Sequence, residues 1–351
     1  RHRLPRELII CRHKNLADQV LRCAAEMKDI SITPIAFESF GVRSMCSLLE
    51  TPDVKILIDP GAALGPRFGV LPHPREYEAR DKCRARIRET AKIVDIIVIS
   101  HYHNDHYTPS FTDTVWIGCS AEESREIFQD KTVLLKDIRS TINFSQRHRG
   151  WIFQKTSEDY VKKFEVADRG TFQYGETELK FSEPVFHGEE NSDLGWVLMF
   201  TVRRGENKVM YASDVQGPIS DKTAKMILDE KPQLLIIGGP PLYLADFKID
   251  TAVVSHGIEN FKSLVEIIPN SILEHHLLRA ENWREFSGSV FEVARRLRHS
   301  VMTAAEYAGL ENNLLEYRRR RLYEEEPPSD EFLRWTKMPR EKQRVTPPPY
   351  K

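Results

Sequence analysis

Short apolar runs separated by polar turns fill the first hundred residues and predict a strand-rich half that a helix closes. The runs at residues 32–37, 44–50 and 54–59 are short and largely apolar, as in strands, and a Thr-Pro-Asp turn joins the last two as a hairpin. Residues 75–92 are charged and free of glycine, which predicts a helix. That helix leads into a β-branched, apolar strand at residues 93–99.

The middle of the chain repeats this alternation of strands and helices. The predicted elements are strands at residues 178–186, 195–202, 208–212, 233–237 and 271–275, and helices at residues 221–229 and 259–267. Two strand-rich halves, each closed by helices, predict a protein of the α/β (α+β) class in which two similar units pack together.

The length and composition of the chain suit one large domain. With 351 residues, of which 40% are hydrophobic, there is ample material for a sizeable core. We expect residues 1–326 to form a single domain, with residues 1–31 as an N-terminal extension packed on it. An amphipathic pattern over residues 15–28 predicts a helix in that extension.

The last forty residues have a different character. From about residue 312 we expect a charged helix that carries arginines at 318–321 and glutamates at 324–326, a pattern more typical of a solvated face than of a phosphate contact. Residues 327–351 are rich in proline and predict a tail that is either poorly ordered or an arm over the surface.

Charge and cysteine content argue against several classes of protein. The net charge of −1 gives no electrostatic support for binding nucleic acid or membranes. The 5 cysteines are scattered without a Cys-x-x-Cys pair, which argues against a disulfide framework and for a reducing cytoplasm. The chain shows neither a run of roughly 18 apolar residues nor a signal-peptide pattern, so we expect a cytoplasmic protein.

The side chains that indicate a chemical function are concentrated in one short run directly after the apolar strand at residues 93–99. His101, His103 and His106, with Asp105, lie within six residues. Neutral imidazoles and carboxylates are the groups that bind zinc, iron or manganese, and so many of them together are hard to bury unless a cation binds them. In extended backbone His101 and His103 point to the same side. The run therefore predicts a metal site.

Isolated histidine and aspartate residues end several other predicted strands. They are Asp59, His187, Asp214 and the pair His275-His276. Each alone is more often a turn residue or a satisfied polar side chain. As a set at successive strand ends, they predict groups that converge on one rim of the sheets, as in other open α/β scaffolds.

This set resembles the metallo-β-lactamase superfamily, whose hallmark is an HxHxDH run with a strand-end Asp before it and a His, an Asp and a final His after it. More narrowly, it resembles a mainly archaeal family of metallo-β-lactamase-fold hydrolases. The segments that carry the narrower resemblance are residues 39–45 (SFGVRSM), 58–61 (IDPG), 238–241 (GGPP) and 274–279 (EHHLLR). The resemblance runs from about residue 32 to about residue 326 and is specific for fold and metal, not for substrate.

The resemblance implies a four-layer αββα sandwich with two divalent metal ions at its edge, zinc first and iron or manganese as alternatives. The implied groups are His101, His103 and His187 for one ion; Asp105, His106 and either His275 or His276 for the other; Asp214 between the two; and Asp59 holding the histidine loops by hydrogen bonds. The implied activity is hydrolysis of a phosphoester or an ester or lactone by a metal-activated hydroxide, with Asp105 orienting or deprotonating the water.

Two further residues have open roles, and two other functions compete. His256 is a candidate proton donor to a leaving group, although a structural role near a helix is favoured. Arg279 is placed to meet an anionic substrate group or to pair with an acid. The competing functions are an RNase Z-like nuclease or phosphodiesterase, which the charge does not support, and a non-catalytic metal-binding scaffold, which lost ligands would indicate.

Overall fold

Two β-sheets pack face to face in the computed structural model, which describes Met27 and residues 29–350. The strands are β1 (Ser31–Phe37), β2 (Met45–Glu50), β3 (Lys55–Ile58), β4 (Ile96–Ile99), β5 (Thr132–Leu135), β6 (Lys163–Val166), β7 (Thr171–Tyr174), β8 (Thr177–Phe181), β9 (Val185–Phe186), β10 (Trp196–Val197), β11 (Phe200–Arg204), β12 (Asn207–Ser213), β13 (Leu234–Gly238), β14 (Asn270–Glu274) and β15 (Ser300–Met302). The first sheet has the order β1-β2-β3-β4-β5-β6, the second has the order β15-β14-β13-β12-β11-β8-β7, and β9 and β10 form a separate ribbon.

Helices cover both outer surfaces. They are α1 (Pro74–Ala91), α2 (Ala121–Phe128), α3 (Phe144–Ser157), α4 (Asp221–Glu230), α5 (Thr251–Ile267), α6 (Trp283–Phe286), α7 (Gly288–Leu297), α8 (Ala304–Tyr307), α9 (Arg319–Glu325), α10 (Asp330–Thr336) and α11 (Arg340–Gln343). Short 3₁₀ turns lie at Glu38–Phe40, Leu242–Leu244 and His275–Arg279. Among the described residues, no helix has both the length and the apolar character that crossing a membrane requires.

The strand pairing brings the ends of key strands to one edge. In the first sheet β3, β4, β5 and β6 run parallel, and in the second sheet β12, β13, β14 and β15 run parallel. Parallel neighbours place their carboxyl ends at the same edge of a sheet, which is where α/β folds build sites. The remaining pairs of both sheets are antiparallel.

Side-chain alternation along the central strands builds the layers. In β4, Ile96 and Val98 pack between the two sheets, while Ile97 and Ile99 pack against the helices outside the first sheet. In β13 the inward residues Leu234 and Ile236 likewise alternate with outward-facing neighbours that meet the helices of the second sheet. This period of two, with both faces covered, gives strands that are apolar throughout. The predicted four-layer αββα architecture is confirmed.

Most predicted strands are found within a few residues of their expected bounds, but the strand predicted at residues 178–186 is wrong as a single element. It is divided into β8 and β9, because the main chain leaves the second sheet after Phe181 and Pro184 has no N–H to continue a ladder. The strand predicted at residues 195–202 is divided in the same way, into β10 and β11. The expected helix at residues 15–28 lies outside the described residues except for Met27.

The charged helix expected from residue 312 is shorter than predicted and only partly solvated. It is α9, which begins at Arg319, because the preceding segment is held along the 3₁₀ turn near Ser39: Asn313 N–H donates to the Ser39 carbonyl at 2.8 Å. Arg319 is fully buried and donates to both oxygens of Glu76 at 2.8 Å. One of the four arginines is therefore a core residue.

The proline-rich tail is a folded arm. Its helix α10 buries Phe332 and Trp335 against Tyr77 of α1, with the Tyr77 and Trp335 ring centroids 5.6 Å apart. The indole N–H of Trp335 donates to the Thr346 carbonyl at 2.8 Å, which closes the tail on itself. The tail therefore completes the apolar layer outside the first sheet.

Replacing Trp335 by Ala should lower the free energy of unfolding by about 3–5 kcal/mol, because it removes a large, fully buried ring and leaves a cavity. Urea denaturation measures this loss of unfolding free energy. Far-UV circular dichroism is the signal, because it follows the backbone and not the fluorescence of the tryptophan that is replaced. Leu333→Ala is the matched control, since Leu333 lies on the same helix but is 37% exposed and should change stability far less. Equal losses in the two variants would contradict the packing of the tail.

Candidate metal centre

The conspicuous histidines and aspartates of the sequence meet at one edge between the two sheets. The first sheet contributes Asp59, which follows β3, and the loop after β4 with His101, His103, Asp105 and His106. The second sheet contributes Asp214 after β12 and His275 and His276 after β14, and the ribbon contributes His187 after β9. Every residue that the sequence analysis proposed as a metal ligand is in this group.

The backbone turns sharply where the strands end. Asp59, Ser213 and His275 have φ values of 44°, 49° and 66°, in the left-handed region that residues with a Cβ rarely adopt. Each such residue costs on the order of 1–3 kcal/mol and persists only where surrounding contacts hold it. The strand ends are therefore bent so that the following side chains face the gap between the sheets.

Gly61 allows the histidine loop to lie against the end of β3. A Cβ at Gly61 would lie 2.4 Å from the Tyr107 backbone nitrogen and 2.7 Å from the Asp105 carbonyl carbon. No side chain fits at such distances, so the Asp-Pro-Gly sequence at residues 59–61 is needed for close packing as well as for a turn.

The side chains converge on the carboxylate of Asp214. Its Oδ2 atom lies 2.7 Å from His187 Nε2, 3.0 Å from His276 Nε2 and 3.3 Å from His275 Nε2. On one side, the His101 and His103 ring centroids are 4.6 Å apart, and those of His103 and His187 are also 4.6 Å apart. On the other side, His275 Nε2 is 3.5 Å from Asp105 Oδ2.

In the part of the chain that the structure describes, four overlapping groups of side chains could hold a metal ion, each with ligand atoms within 4.8 Å of one another. The groups are His101, His103, His187 and Asp214; Asp105, His106 and His275; Asp214, His275 and His276; and Asp59, His101 and His106. Asp214 and His275 each belong to two groups, so the candidate sites are adjacent.

Burial prepares these groups to bind a cation. Burial, and then the neighbouring imidazoles, lower the pKa of His101 and His103 well below the ordinary value, so both rings are neutral with a free lone pair. Burial alone would raise the pKa of Asp214, but the facing imidazoles, His187 foremost, hold it well below its usual range. Neutral imidazoles around an ionised carboxylate are the protonation states that a metal site requires.

Several polar atoms at the centre have no hydrogen-bond partner. His101 Nε2, His106 Nε2 and Asp214 Oδ1 are buried, and no described residue forms a hydrogen bond with them. Leaving a buried polar atom unpaired costs about 1–3 kcal/mol. Three such atoms at the centre fit divalent metal ions, since bound cations would pair them.

Asp59 is the acceptor that holds the histidine loop. It is fully buried, and its two oxygens accept from the Ser100 N–H at 2.8 Å, the Ser100 hydroxyl at 2.7 Å and His106 Nδ1 at 2.8 Å. Burial opposes a charge on His106, but the carboxylate of Asp59 raises its pKa to about 9. Because Nδ1–H is directed to Asp59, the Nε2 atom of His106 faces the centre.

Sequence reasoning missed the residues that orient the other rings. Ser100 Oγ lies 3.0 Å from His101 Nδ1. Because the Ser100 hydroxyl donates its own hydrogen to Asp59, the Nδ1–H group of His101 donates to Ser100 Oγ. The Gln216 amide lies 3.3 Å from His187 Nδ1. A Cβ at Gly188, which has a φ of 89°, would lie 2.3 Å from the Gln216 side chain, so Gly188 makes room for this contact. The only signal in the sequence was the position of these residues beside the histidines.

The structure corrects the interpretation of Arg279 as a substrate contact. Its side chain is 1% exposed and its Nε donates to Glu38 Oε2 at 2.8 Å, which is the alternative of pairing with an acid. Its two terminal nitrogens lie 3.2 Å from His275 Nδ1 and 3.1 Å from His276 Nδ1. Arg279 therefore supports the histidine pair from behind.

His256 is not brought to the centre. It lies within α5, outside the second sheet, where its side chain is 50% exposed and its Nε2 is 2.6 Å from Asp221 Oδ1. The helix begins at Thr251 with Asp250 as its N-cap, eight residues earlier than predicted, so His256 is a surface position on a helix and no candidate for proton donation at this site.

Replacing Asp59 by Ala should lower the free energy of unfolding of the metal-free protein by about 3–5 kcal/mol, because it removes the counter-charge of buried His106 and the acceptor of Ser100. Chemical denaturation in the presence of a chelator measures this change in the free energy of unfolding. Asp221→Ala is the control, since it breaks an aspartate–histidine pair that is open to solvent and should have little effect. A small loss for Asp59→Ala would show that other contacts hold the loop.

Comparisons with known proteins agree with this geometry. The model of the Beta-lactamase superfamily domain matches residues 42–243, more than half of the chain. The UPF0282 protein of Methanopyrus kandleri is 39% identical over 84% of this chain and 99% of its own length, and that of Methanocaldococcus jannaschii is 40% identical over 84% and 96%. The metallo-beta-lactamase fold protein YhfI of Bacillus subtilis is similar at 14% identity, covering 78% of this chain and 96% of that one, with a TM-score of 0.44. The chain thus belongs to the UPF0282 family within the β-lactamase superfamily, and the predicted class of metal-dependent hydrolase is confirmed at the level of that superfamily.

Proposed function

We propose that this protein hydrolyses a phosphoester, or an ester or lactone, at a site that holds two divalent metal ions between the sheets. The observation that carries the proposal is the set of buried ligand atoms without hydrogen-bond partners, contributed by His101, His106 and Asp214. A scaffold that had lost its function would be expected to lose such atoms, because each one lowers stability when nothing binds it. All the ligand types are present, which argues against the scaffold alternative.

The overlapping groups support an assignment of ligands to two ions. His101, His103 and His187 would hold one ion, and Asp105, His106 and His275 would hold the other. Asp214 would serve both, since a carboxylate has two oxygens and a lone imidazole nitrogen cannot span two cations.

His275 is favoured over His276 as the second-ion ligand. Its ring is completely buried, and its Nε2 lies between Asp105 and Asp214, at 3.5 and 3.3 Å. His276 is 13% exposed and stacks on the ring of Tyr243, with an interplanar angle of 9°. His276 therefore belongs to the mouth of the site, where a substrate would enter.

The ligand set suits zinc, with iron or manganese as alternatives. When bound, such ions lower the pKa of a coordinated water and stabilise developing negative charge on oxygen. Burial alone would raise the pKa of Asp105. The neighbouring imidazoles of His106, His275 and His103 outweigh this effect and lower the pKa below its usual range. A carboxylate that stays ionised in this way is a weak base but a good acceptor, so Asp105 would orient the attacking water by a hydrogen bond.

One surface feature favours a nucleic-acid substrate as a second candidate. Helix α3 exposes Phe144 by 83% and Trp151 by 53%, and with His148, Arg139 and Arg147 they line an open groove. Aromatic rings and arginines side by side are the surface on which bases stack and phosphates bind. The sequence analysis found no such segment, because the net charge of −1 conceals a local basic patch.

Metal analysis combined with a hydrolysis screen tests the proposed function. We expect about two ions per chain in protein purified without chelators, and turnover of a phosphodiester, phosphomonoester, lactone or single-stranded RNA. His101→Ala and His187→Ala should lose metal and all turnover. His256→Ala, a histidine outside the centre, should keep both. Metal content near zero after gentle reloading would reject the two-ion site.

The adjacent residues His275 and His276 provide a matched pair of variants that tests which of the two binds metal. His275→Ala should retain about one ion per chain, since the second ion loses one of its protein ligands. His276→Ala should retain both ions and instead change KM or kcat for whichever substrate is found. Elemental analysis of the two variants, purified side by side, decides between them. The opposite result would assign the ligand role to His276.

A further inference from the structure

Positive charge exceeds negative charge at the mouth of the site. Three arginines there, of which Arg279 and Arg319 are buried and Arg43 is partly buried, each have a carboxylate partner: Arg43 donates to both oxygens of Glu316 at 2.7 Å, Arg279 donates to Glu38 at 2.8 Å, and Arg319 donates to both oxygens of Glu76 at 2.8 Å. Each of these carboxylates is hydrogen-bonded to its own arginine, so a further cation at this place has no carboxylate to itself.

Arg67 is such a further cation. It lies on the loop between β3 and α1, and no carboxylate of the described residues lies within 4.0 Å of it. Of its side-chain nitrogens only Nη2 donates, to the Arg279 carbonyl at 3.4 Å, and Nε is buried without a partner. Burial lowers the pKa of Arg67 more than Glu316 raises it, as expected for a cation short of counter-charge.

A ladder of alternating cations and rings connects Arg67 to the metal centre on one side and to the surface on the other. Its guanidinium lies 4.5 Å from the Tyr243 ring, which stacks on His276 at 6.0 Å. On its other side lies Phe68 at 4.8 Å, and beyond Phe68 is Arg320, 4.7 Å from the same ring. Arg320 is exposed and has no carboxylate partner among the described residues either.

Each guanidinium of the ladder lies against an aromatic ring, with its carbon 4.5–4.8 Å from the ring centroid. An aromatic ring accepts no more than part of the five N–H donors of a guanidinium, so the others stay available to a ligand. Two arginines on one ring repel each other, and among the described residues no carboxylate lies within 4.0 Å of either to pair with it. An anion would do so, and a planar fork of N–H donors suits phosphate or carboxylate.

Building on the proposed function, we infer that the substrate carries a negatively charged group, phosphate or carboxylate, besides the bond that is cleaved, and that Arg67 binds this group while Arg320 attracts it. Arg67 is separated from His276 by the single ring of Tyr243, so the charged group lies beside the reacting bond and not at it. Neutral esters and lactones are then poor substrates, and the anionic members of the proposed classes are favoured.

Binding of inorganic phosphate to the metal-free protein tests the inference apart from catalysis. Isothermal titration at low ionic strength should detect binding to the unaltered chain. Arg67→Gln should raise the Kd at least about tenfold, since a charge-assisted hydrogen bond is lost. Arg67→Lys should recover part of the affinity, which a purely structural role of Arg67 would not explain. Arg320→Gln should weaken binding by about two- to threefold, because its charge is exposed and screened.

Arg321→Gln is the matched control: it removes the same charge from the next residue of α9, whose side chain pairs with Glu325 and does not touch Phe68. It should bind phosphate as the unaltered chain does. No phosphate binding by the unaltered chain, or equal binding by Arg67→Gln, would overturn the inference.

In the metal-loaded protein, an ester with a free carboxylate, 4-nitrophenyl hemisuccinate, should show a lower KM than neutral 4-nitrophenyl butyrate, and Arg67→Gln should remove that preference. Equal KM values for the two esters in the unaltered protein would also overturn the inference. Phosphate binding that depends on Arg67 in a protein without any hydrolytic activity would support the anion site and reject the proposed function.

Discussion

A single buried carboxylate, that of Asp59, ties the two sheets together at the functional edge. It follows β3 of the first sheet and accepts from Ser100, His106 and, at 3.2 Å, the hydroxyl of Ser213 at the end of β12 in the second sheet. A fully buried carboxyl group needs such a full set of donors. The same donors fix the ring of His106 and, through Ser100, that of His101, so the geometry of the centre depends on one charge being satisfied.

The centre itself stores unfavourable energy that a cation would release. The buried Nε2 atom of His101, whose pKa burial lowers, and the buried Oδ1 atom of Asp214 have no hydrogen-bond partner among the described residues and are poorly solvated. The bent backbone at Ser213 and His275 adds strain of the kind that functional sites retain. Folding of the hydrophobic layers supplies the stability that keeps these residues in place, because the loops that carry them begin at the ends of buried strands of the two sheets.

The layers and the grouping of histidines and aspartates at one edge could be predicted from the sequence because they depend on local patterns. Apolar strands of period two predict the sheets, and strand-end groups such as Asp214 predict the site. The rest depends on long-range contacts. Arg279 pairs with Glu38, 241 residues away, and nothing near either residue indicates this. An arm over the surface was one of two alternatives for the tail, and proline-rich composition could not decide between them because it does not reveal that Trp335 meets Tyr77. The split at Pro184 was overlooked although the proline itself indicated it.

The position of the tail has a consequence for synthesis on the ribosome. Helix α1 leaves the exit tunnel early, but the aromatic residues that cover its Tyr77, among them Trp335 and Tyr350, are made more than two hundred residues later. Until then the first half of the chain exposes part of an apolar layer, the kind of surface on which nascent chains associate wrongly. The nascent segment around Tyr77 must therefore remain soluble until Trp335 and Tyr350 have been made and can cover it.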